Sequence, residues 1–428
     1  MMNSMITSAR KLDVGKLALC VGCALILCVS SCKVPVSPGA NYNGYVRLLD
    51  GGGPLVGVPV MKQAADGGIF VFLTVQVPTD TTPSVGAELF KCSSSGDLEW
   101  KQQYSNGLTA EDLVPLADGG AMLLAQDSVT AKLIRIALLH VDNQGRLVSG
   151  GRREFQNTTE ANRGYRLQPT ANGGYVIAGV VRNSLNGNSP AFFLTLSATF
   201  DTSWSMLSLA QNSTPIYTPN DLVLPSSGVE LSTCTLSPPQ TASGSSPQLL
   251  FHDPKNVNSP DPYIVFPPAV KGNSFNGNGT YRAIIPVGDQ YVLLGDSSDY
   301  GTTPCEYAAK ISKGNYAFPS LDWSYSGATD AKNSFLGGVG LSDGGVIATG
   351  FAASLAGDTA ILVTHLDKNG IPLWSNTYNF GGGDVGHNVV TTPDGGFIVS
   401  GITTSFGPHD GTRQAFLIRF NANGDYTK

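Results

Sequence analysis

From about residue 44 onward, short apolar runs alternate with clusters of Gly, Asp, Asn and Ser, and one eight-residue phrase recurs within that pattern. The phrase is Asp-Gly-Gly, an apolar run and a closing Gly. Its clearest copies are Asp343–Gly350 and Asp394–Gly401; Asn172–Gly179 is a third, and Asp118-Gly119-Gly120 and Asp66-Gly67-Gly68 open two more. Asp-Gly or Asn-Gly between apolar runs predicts a tight hairpin, because Gly accepts the positive φ that such turns require. Degenerate copies follow Leu222-Val223-Leu224, at Ser226-Ser227-Gly228, and precede Tyr291–Gly295, at Gly288-Asp289-Gln290. The turn centres then fall near 66, 118, 172, 227, 288, 343 and 394. A hairpin signal at a fixed period of about 50 residues predicts a propeller or a solenoid.

Each unit reads as four strands. The third closes in an Asp-x-x-Gly turn and the fourth often carries Trp, as in Ile361 to Trp374. All four tryptophans (Trp100, Trp204, Trp323 and Trp374) share that phase, which predicts large rings wedged between neighbouring sheets. Seven such units predict an all-β chain folded as a seven-bladed β-propeller of four-stranded blades. The last unit stops where its fourth strand should begin, and Tyr45 to Leu49 has the missing phase. The N-terminal strand is therefore expected to complete the last blade and close the ring, making 44–428 a single domain. Residues 233–280, rich in Pro, Ser, Asn and Gly, predict surface excursions on a weakened blade whose completeness stays open.

Composition agrees with a turn-rich β protein: 51 Gly and 26 Pro, with 41% hydrophobic and only 14% charged residues. The first 31 residues read differently. Arg10, Lys11 and Lys16 precede the uncharged stretch Leu17 to Val29, too short for a comfortable membrane span and suited to a signal peptide. The stretch ends in Val29-Ser30-Ser31-Cys32, which resembles a bacterial lipobox. The expectation is a signal peptide over 1–31, acyl chains such as palmitate on Cys32, and a tether over 32–43. Localisation would be a cell membrane or outer membrane, facing the periplasm or the cell surface. Cleavage would leave 23 basic against 31 acidic groups from the original 26 and 32, and no basic patch, so nucleic acid is not expected as a partner. Cys92, Cys234 and Cys305 remain, with no spacing that assigns a disulfide.

The Asp-x-x-Gly-x-x-x-Trp phrase at 367–374 resembles the repeat of quinoprotein-type (PQQ-like) propellers. The Asp-Gly-Gly phrase is similar to repeats of secreted and lipid-anchored propellers of Bacteroidetes-type bacteria. The resemblance covers residues 44–428 and implies a fold family, not an activity. The chain has neither the adjacent Cys pair nor the cation set of quinoprotein dehydrogenases, so no cofactor is expected.

His140 and His365 share a phase on the third strand while His252 stands one residue out of it; Lys91, Thr195, Lys310 and Arg419 hold the same or a similar place, so a polar strand position is expected and no metal site. Asp142, Asp367 and Asn421 open Asx turns and lack the Glu of a calcium loop. The functional face of such a ring is expected at the channel mouth. There the loops entering the innermost strands would present Glu111, Asp112, Arg163, Asp221, Arg282, Asp384 and His387 as a ligand-binding set. No nucleophile elbow, paired metal motif or phosphate loop is present. The leading expectation is a non-enzymatic envelope lipoprotein that binds a protein or glycan partner. The alternatives are a scaffold subunit of an outer-membrane assembly complex, and a hydrolase or lyase with its site at the channel mouth.

Overall fold

The Asp-Gly-Gly phrase forms the hairpin between the first and second strands of a blade, and its three glycines have separate reasons. Asp343 Oδ1 accepts the Gly345 amide at 2.9 Å and closes an Asx turn. Gly344 lies at φ +89°. A Cβ on Gly345 would stand 2.7 Å from the Leu366 carbonyl of the third strand, and one on Gly350 would run into the Ser334 carbonyl of the first. One glycine is needed for its torsion and two for space.

The computed structural model describes residues 46–77, 84–129, 133–156, 161–182, 189–206, 216–225, 230–237, 246–254, 263–265, 278–298, 303–311, 320–327, 332–353, 357–405 and 412–426. The signal-peptide, Cys32 and tether assignments lie outside these residues. Within them, 28 strands form seven four-stranded antiparallel sheets, so the fold is a seven-bladed β-propeller. The first strands are Leu55–Gln63, Leu108–Pro115, Ala161–Pro169, Ile216–Val223, Asn278–Val287, Asn333–Gly340 and Asp384–Thr391. Each packs against the first strand of the next blade, and the seventh against the first, so they line the ring axis. The fourth blade is complete, although its outermost strand is only Tyr263–Val265.

The ring closes as expected. Val46–Leu49 pairs antiparallel with Gln414–Phe420, Val46 opposite Ile418 and Leu49 opposite Ala415, as the outermost strand of the seventh blade. Closure ties the first blade to the last.

Packing runs between blades. Among the described residues, seven apolar clusters occupy the seven blade interfaces. Trp100, Trp204, Trp374 and Trp323 pack against four of them. Trp374 stacks on Phe397 of the next blade, centroids 6.1 Å apart and planes at 18°. A Cβ on Gly145, Gly370 or Gly424 would come within 2.5, 2.5 or 3.0 Å of Trp100, Trp323 or Trp374 respectively. The glycine of each Asp-x-x-Gly turn thus receives the indole of the preceding blade. The interface between blades 3 and 4 instead buries a polar pair, His252 Nδ1 to Glu230 Oε2 at 2.7 Å, with Thr195 Oγ1 donating to Glu230 Oε1 at 3.1 Å.

That pair bears out one expectation. Leu231 pairs with Phe251 as Val292 pairs with Lys310 and Ile347 with His365, so Phe251 takes the polar third-strand position and His252 stands one residue out of phase. His252 therefore faces the preceding blade, where its ring stacks on Phe193. His140, His252 and His365 lie in different blades, and among the described residues no three His, Cys, Asp or Glu side chains converge as metal ligands. The neighbouring turns are Asx turns: Asp367 Oδ1 accepts the Asn369 and Ile371 amides at 2.8 Å each. Cys92 and Cys305 are buried and free, in blades 1 and 5, and burial pushes the Cys92 thiol up to about 12.

Candidate functional site: a polar collar in the channel

Every first strand carries a β-bulge where its pairing with the second strand slips. The extra residue is Glu111, Tyr165, Asn220, Arg282, Leu336 or His387 in blades 2 to 7, and the slip in blade 1 lies between Val56 and Val60. A bulge bends its strand and re-aims side chains. Seven bulges around one axis make a collar, and the cavity they border encloses about 1100 Å³.

Six of the seven expected ligand residues line this cavity: Glu111, Asp112, Arg163, Asp221, Arg282 and His387. They stand on the first strands themselves, not on the loops that lead into them, because those strands begin earlier than the apolar pattern indicates. Asp384 does not line it. It is fully buried at the start of its strand, where Oδ1 accepts the Thr403 and Ser405 hydroxyls at 2.6 and 2.7 Å and Oδ2 accepts the Phe380 amide at 2.9 Å. With its oxygens engaged inside the blade, Asp384 is a structural residue.

Two of the six are cross-links between blades. Asp112, 1% exposed, accepts the Leu113 amide through Oδ1 and the Leu167 amide of the next blade through Oδ2, both at 2.9 Å. Asp221 repeats this with Leu222 and with Ile284 of the next blade, again at 2.9 Å. Burial raises the Asp221 carboxyl above its ordinary value, against the pull of Arg166 and Lys62.

The rest of the collar is poised differently. Burial pushes the Glu111 carboxyl up to about 8 although Arg166 and Arg163 oppose the shift, so Glu111 is mostly protonated at neutral pH. His387 is driven down to about 3 by burial and by the positive charges of Arg413 and Arg282, and is neutral. Arg163 and Arg282 each present a buried Nε that makes no hydrogen bond. Arg282 Nε stands 4.0 Å from the Asp296 carboxylate.

Sequence reasoning missed Lys62, Arg166, Asn220 and Asn388, which also line the cavity. Lys62 approaches Asp112 at 3.9 Å and Arg166 approaches Asp221 at 3.8 Å. Asn388 donates to the Pro59 carbonyl at 2.9 Å and Asn220 to the Tyr281 carbonyl at 2.6 Å, each across a blade interface. A signal was available. The residue after each bulge stands six places ahead of the Asp-Gly-Gly position: 112 before 118, 166 before 172, 388 before 394. Aligning the units on their turns picks out Asp112, Arg166, Asp221 and Asn388 together.

No protein-family model matches the sequence, and comparison with curated proteins finds no match. Solved structures do match. A protein of unknown function from Dyadobacter fermentans is similar at TM-score 0.50 and 9% identity, over 88% of this chain and 98% of that one. A polysaccharide lyase, a PL25 ulvan lyase, is similar at TM-score 0.49 and 10% identity, over 74% and 80%. A Bacteroides caccae protein of unknown function gives TM-score 0.36 and 12% identity, over 75% and 81%. At 9% identity the likeness to the Dyadobacter fermentans protein speaks to the fold alone.

Proposed function

We propose that this chain is a lipid-anchored envelope protein, held through Cys32, whose propeller binds a protein or glycan partner in its channel without transforming it. The observation that carries the reading is the collar, where side chains from most of the ring face one cavity of about 1100 Å³. Ligand sites are concave, with a few converging polar groups on a rigid frame. A closed ring whose collar is itself cross-linked by Asp112 and Asp221 is such a frame. Capture from envelope extracts with the full-length chain and with an Arg163→Gln/Arg282→Gln variant tests it. A partner held by the wild type and released by the variant is expected; equal capture by both rejects the channel as the site. Cys32→Ala should move the protein out of the membrane fraction, and retention there rejects the anchor.

One observation favours a second reading, a hydrolase or lyase with its site in the same cavity. Glu111 keeps its proton to about pH 8 and His387 stays unprotonated above about pH 3, so a proton donor and a proton acceptor share one cavity. Ligand released chemically altered from the wild type, and unaltered from Glu111→Gln, would establish this reading over the first.

A further inference from the structure

The ring order of the blades divides the channel wall into two unlike arcs. Blades 3 and 5, on either side of blade 4, carry Arg163, Arg166 and Arg282, while Lys62 stands apart on blade 1. The aspartates among them, Asp112 and Asp221, each accept one backbone amide of their own blade and one of the next, with Lys62 and Arg166 at 3.9 and 3.8 Å respectively. Glu111 holds its proton at neutral pH and adds no negative charge there. Three arginines thus share this arc with two engaged aspartates and with Asp296, 4.0 Å from Arg282 Nε, inside a chain whose formal net charge is −6. The buried Nε atoms of Arg163 and Arg282 have no hydrogen-bond partner, and an unsatisfied buried donor is costly unless something accepts from it.

The opposite arc is aliphatic. Val56 and Val58 of blade 1 are 38% and 45% exposed, unusual for valine on an inner strand, and both line the cavity. Leu336 and Val339 of blade 6 continue this wall, and Gly337 and Gly340 between and beside them let blades 7 and 5 approach, since a Cβ on either would run into the His387 or Pro286 carbonyl. Sugar rings are commonly held against exposed aromatic faces. Among the described residues the only phenyl-type ring on the wall is Tyr291, and it is 8% exposed.

We infer that the channel recognises an acidic peptide segment, with its carboxylates on the Arg163–Arg282 arc and its aliphatic side chains on the Val56–Leu336 arc. This rests on the channel being the binding site. Guanidinium groups suit carboxylates because their planar fork donates two parallel hydrogen bonds, and exposed valines gain by leaving water. The ligand is therefore chosen by alternating acidic and aliphatic character.

Fluorescence anisotropy on the full-length chain tests this with three probes: a labelled peptide alternating Glu and Leu, its Lys/Leu counterpart, and polygalacturonate. The Glu/Leu peptide should bind, weaken with added salt, and lose at least about tenfold in affinity in Arg163→Gln/Arg282→Gln, as expected when a charge-assisted contact is removed. The Lys/Leu peptide should not bind. Should the double variant fold poorly, the salt dependence of the wild type and the contrast between the two peptides still decide the matter. Binding of polygalacturonate in place of the peptide overturns the peptide assignment and leaves the channel standing as the site. Peptide binding undiminished in a folded double variant overturns the channel itself. Absence of binding by every probe overturns the peptide assignment, and the extract capture then judges the channel independently.

Discussion

Arg47 on the closing strand donates two hydrogen bonds to one oxygen of Asp97 in the first blade, Nε to Oδ1 at 2.9 Å and Nη2 to Oδ1 at 2.6 Å. The pair spans the seam where the two ends of the chain meet, and the bonds from Arg47 hold the Asp97 carboxyl below its usual range. It is largely solvated on the Asp97 side, 58% exposed, so its own contribution is small, about 0.2–1 kcal/mol. The seam is carried instead by Val46 and Leu49, 7% and 6% exposed, and by the ladder to Gln414–Phe420. Deleting residues 44 to 50 should therefore lower thermal stability severely, whereas Arg47→Ala should shift it only slightly. Unchanged thermal unfolding in the deletion would sink the closure argument.

The Trp-on-Gly contacts yield a graded test. Gly370 and Gly395 both have positive φ, +78° and +82°. A Cβ on Gly395 meets nothing within 4 Å, while one on Gly370 meets Trp323 at 2.5 Å. Gly395→Ala should cost about 1–2 kcal/mol from torsion alone. Gly370→Ala should cost about 1–3 kcal/mol more from overpacking. Urea denaturation midpoints check the order; equal losses would mean the indole yields freely.

Asp112 and Arg163 face the same cavity and should behave oppositely. Asp112→Ala leaves the buried Leu113 and Leu167 amides without an acceptor, at about 1–3 kcal/mol each. Its main effect should be on unfolding. Arg163→Gln should leave unfolding nearly unchanged and weaken the ligand. A variant set in which stability and binding fall together at both positions would contradict this division.

Glu88 gives a pH signature unrelated to the channel. It is 2% exposed, Oε2 has no hydrogen-bond partner, and burial pushes its carboxyl from 4.5 up to about 7. The folded state holds this proton more tightly than the unfolded state. Its contribution is therefore complete below about pH 4.5 and is lost as pH rises through about 7. Glu88→Gln should raise the melting temperature relative to wild type at pH 8 and lose most of that advantage by pH 5. A pH-independent difference would place the cause elsewhere.

Glu111 should make ligand binding pH-dependent in the same direction. Above about pH 8 it ionises and adds negative charge beside Arg163 and Arg166. Binding of the Glu/Leu peptide should weaken through that range in the wild type and stay flatter in Glu111→Gln, as anisotropy titrations at pH 7 and pH 9 would read.

Much of this fold was legible because its signals are local. An Asx turn, a glycine at positive φ and a second glycine against a carbonyl are needed wherever the hairpin forms, so Asp343-Gly344-Gly345 recurs with the blade. The phase of Tyr45–Leu49 gave away the seam for the same reason. The collar was legible only in part. Glu111 and Asp112 are neighbours of like charge, yet one faces the cavity with a raised pKa and the other is tied to the Leu167 amide of another blade.

Blade number, strand order and ring closure thus follow from the sequence by itself, since each unit must satisfy the same turn torsions and bury the same apolar faces. The division of the channel charges into cross-links and free groups was decided by the tertiary structure. Side chains alternate along a strand, and each bulge resets that alternation by one residue. Direction past a bulge depends on pairing with the second strand and on what the next blade offers. Asp221 finds the Ile284 amide there, Asp384 turns into its own blade toward Thr403, and Arg163 and Arg282 keep their Nε groups without a hydrogen bond at the channel wall.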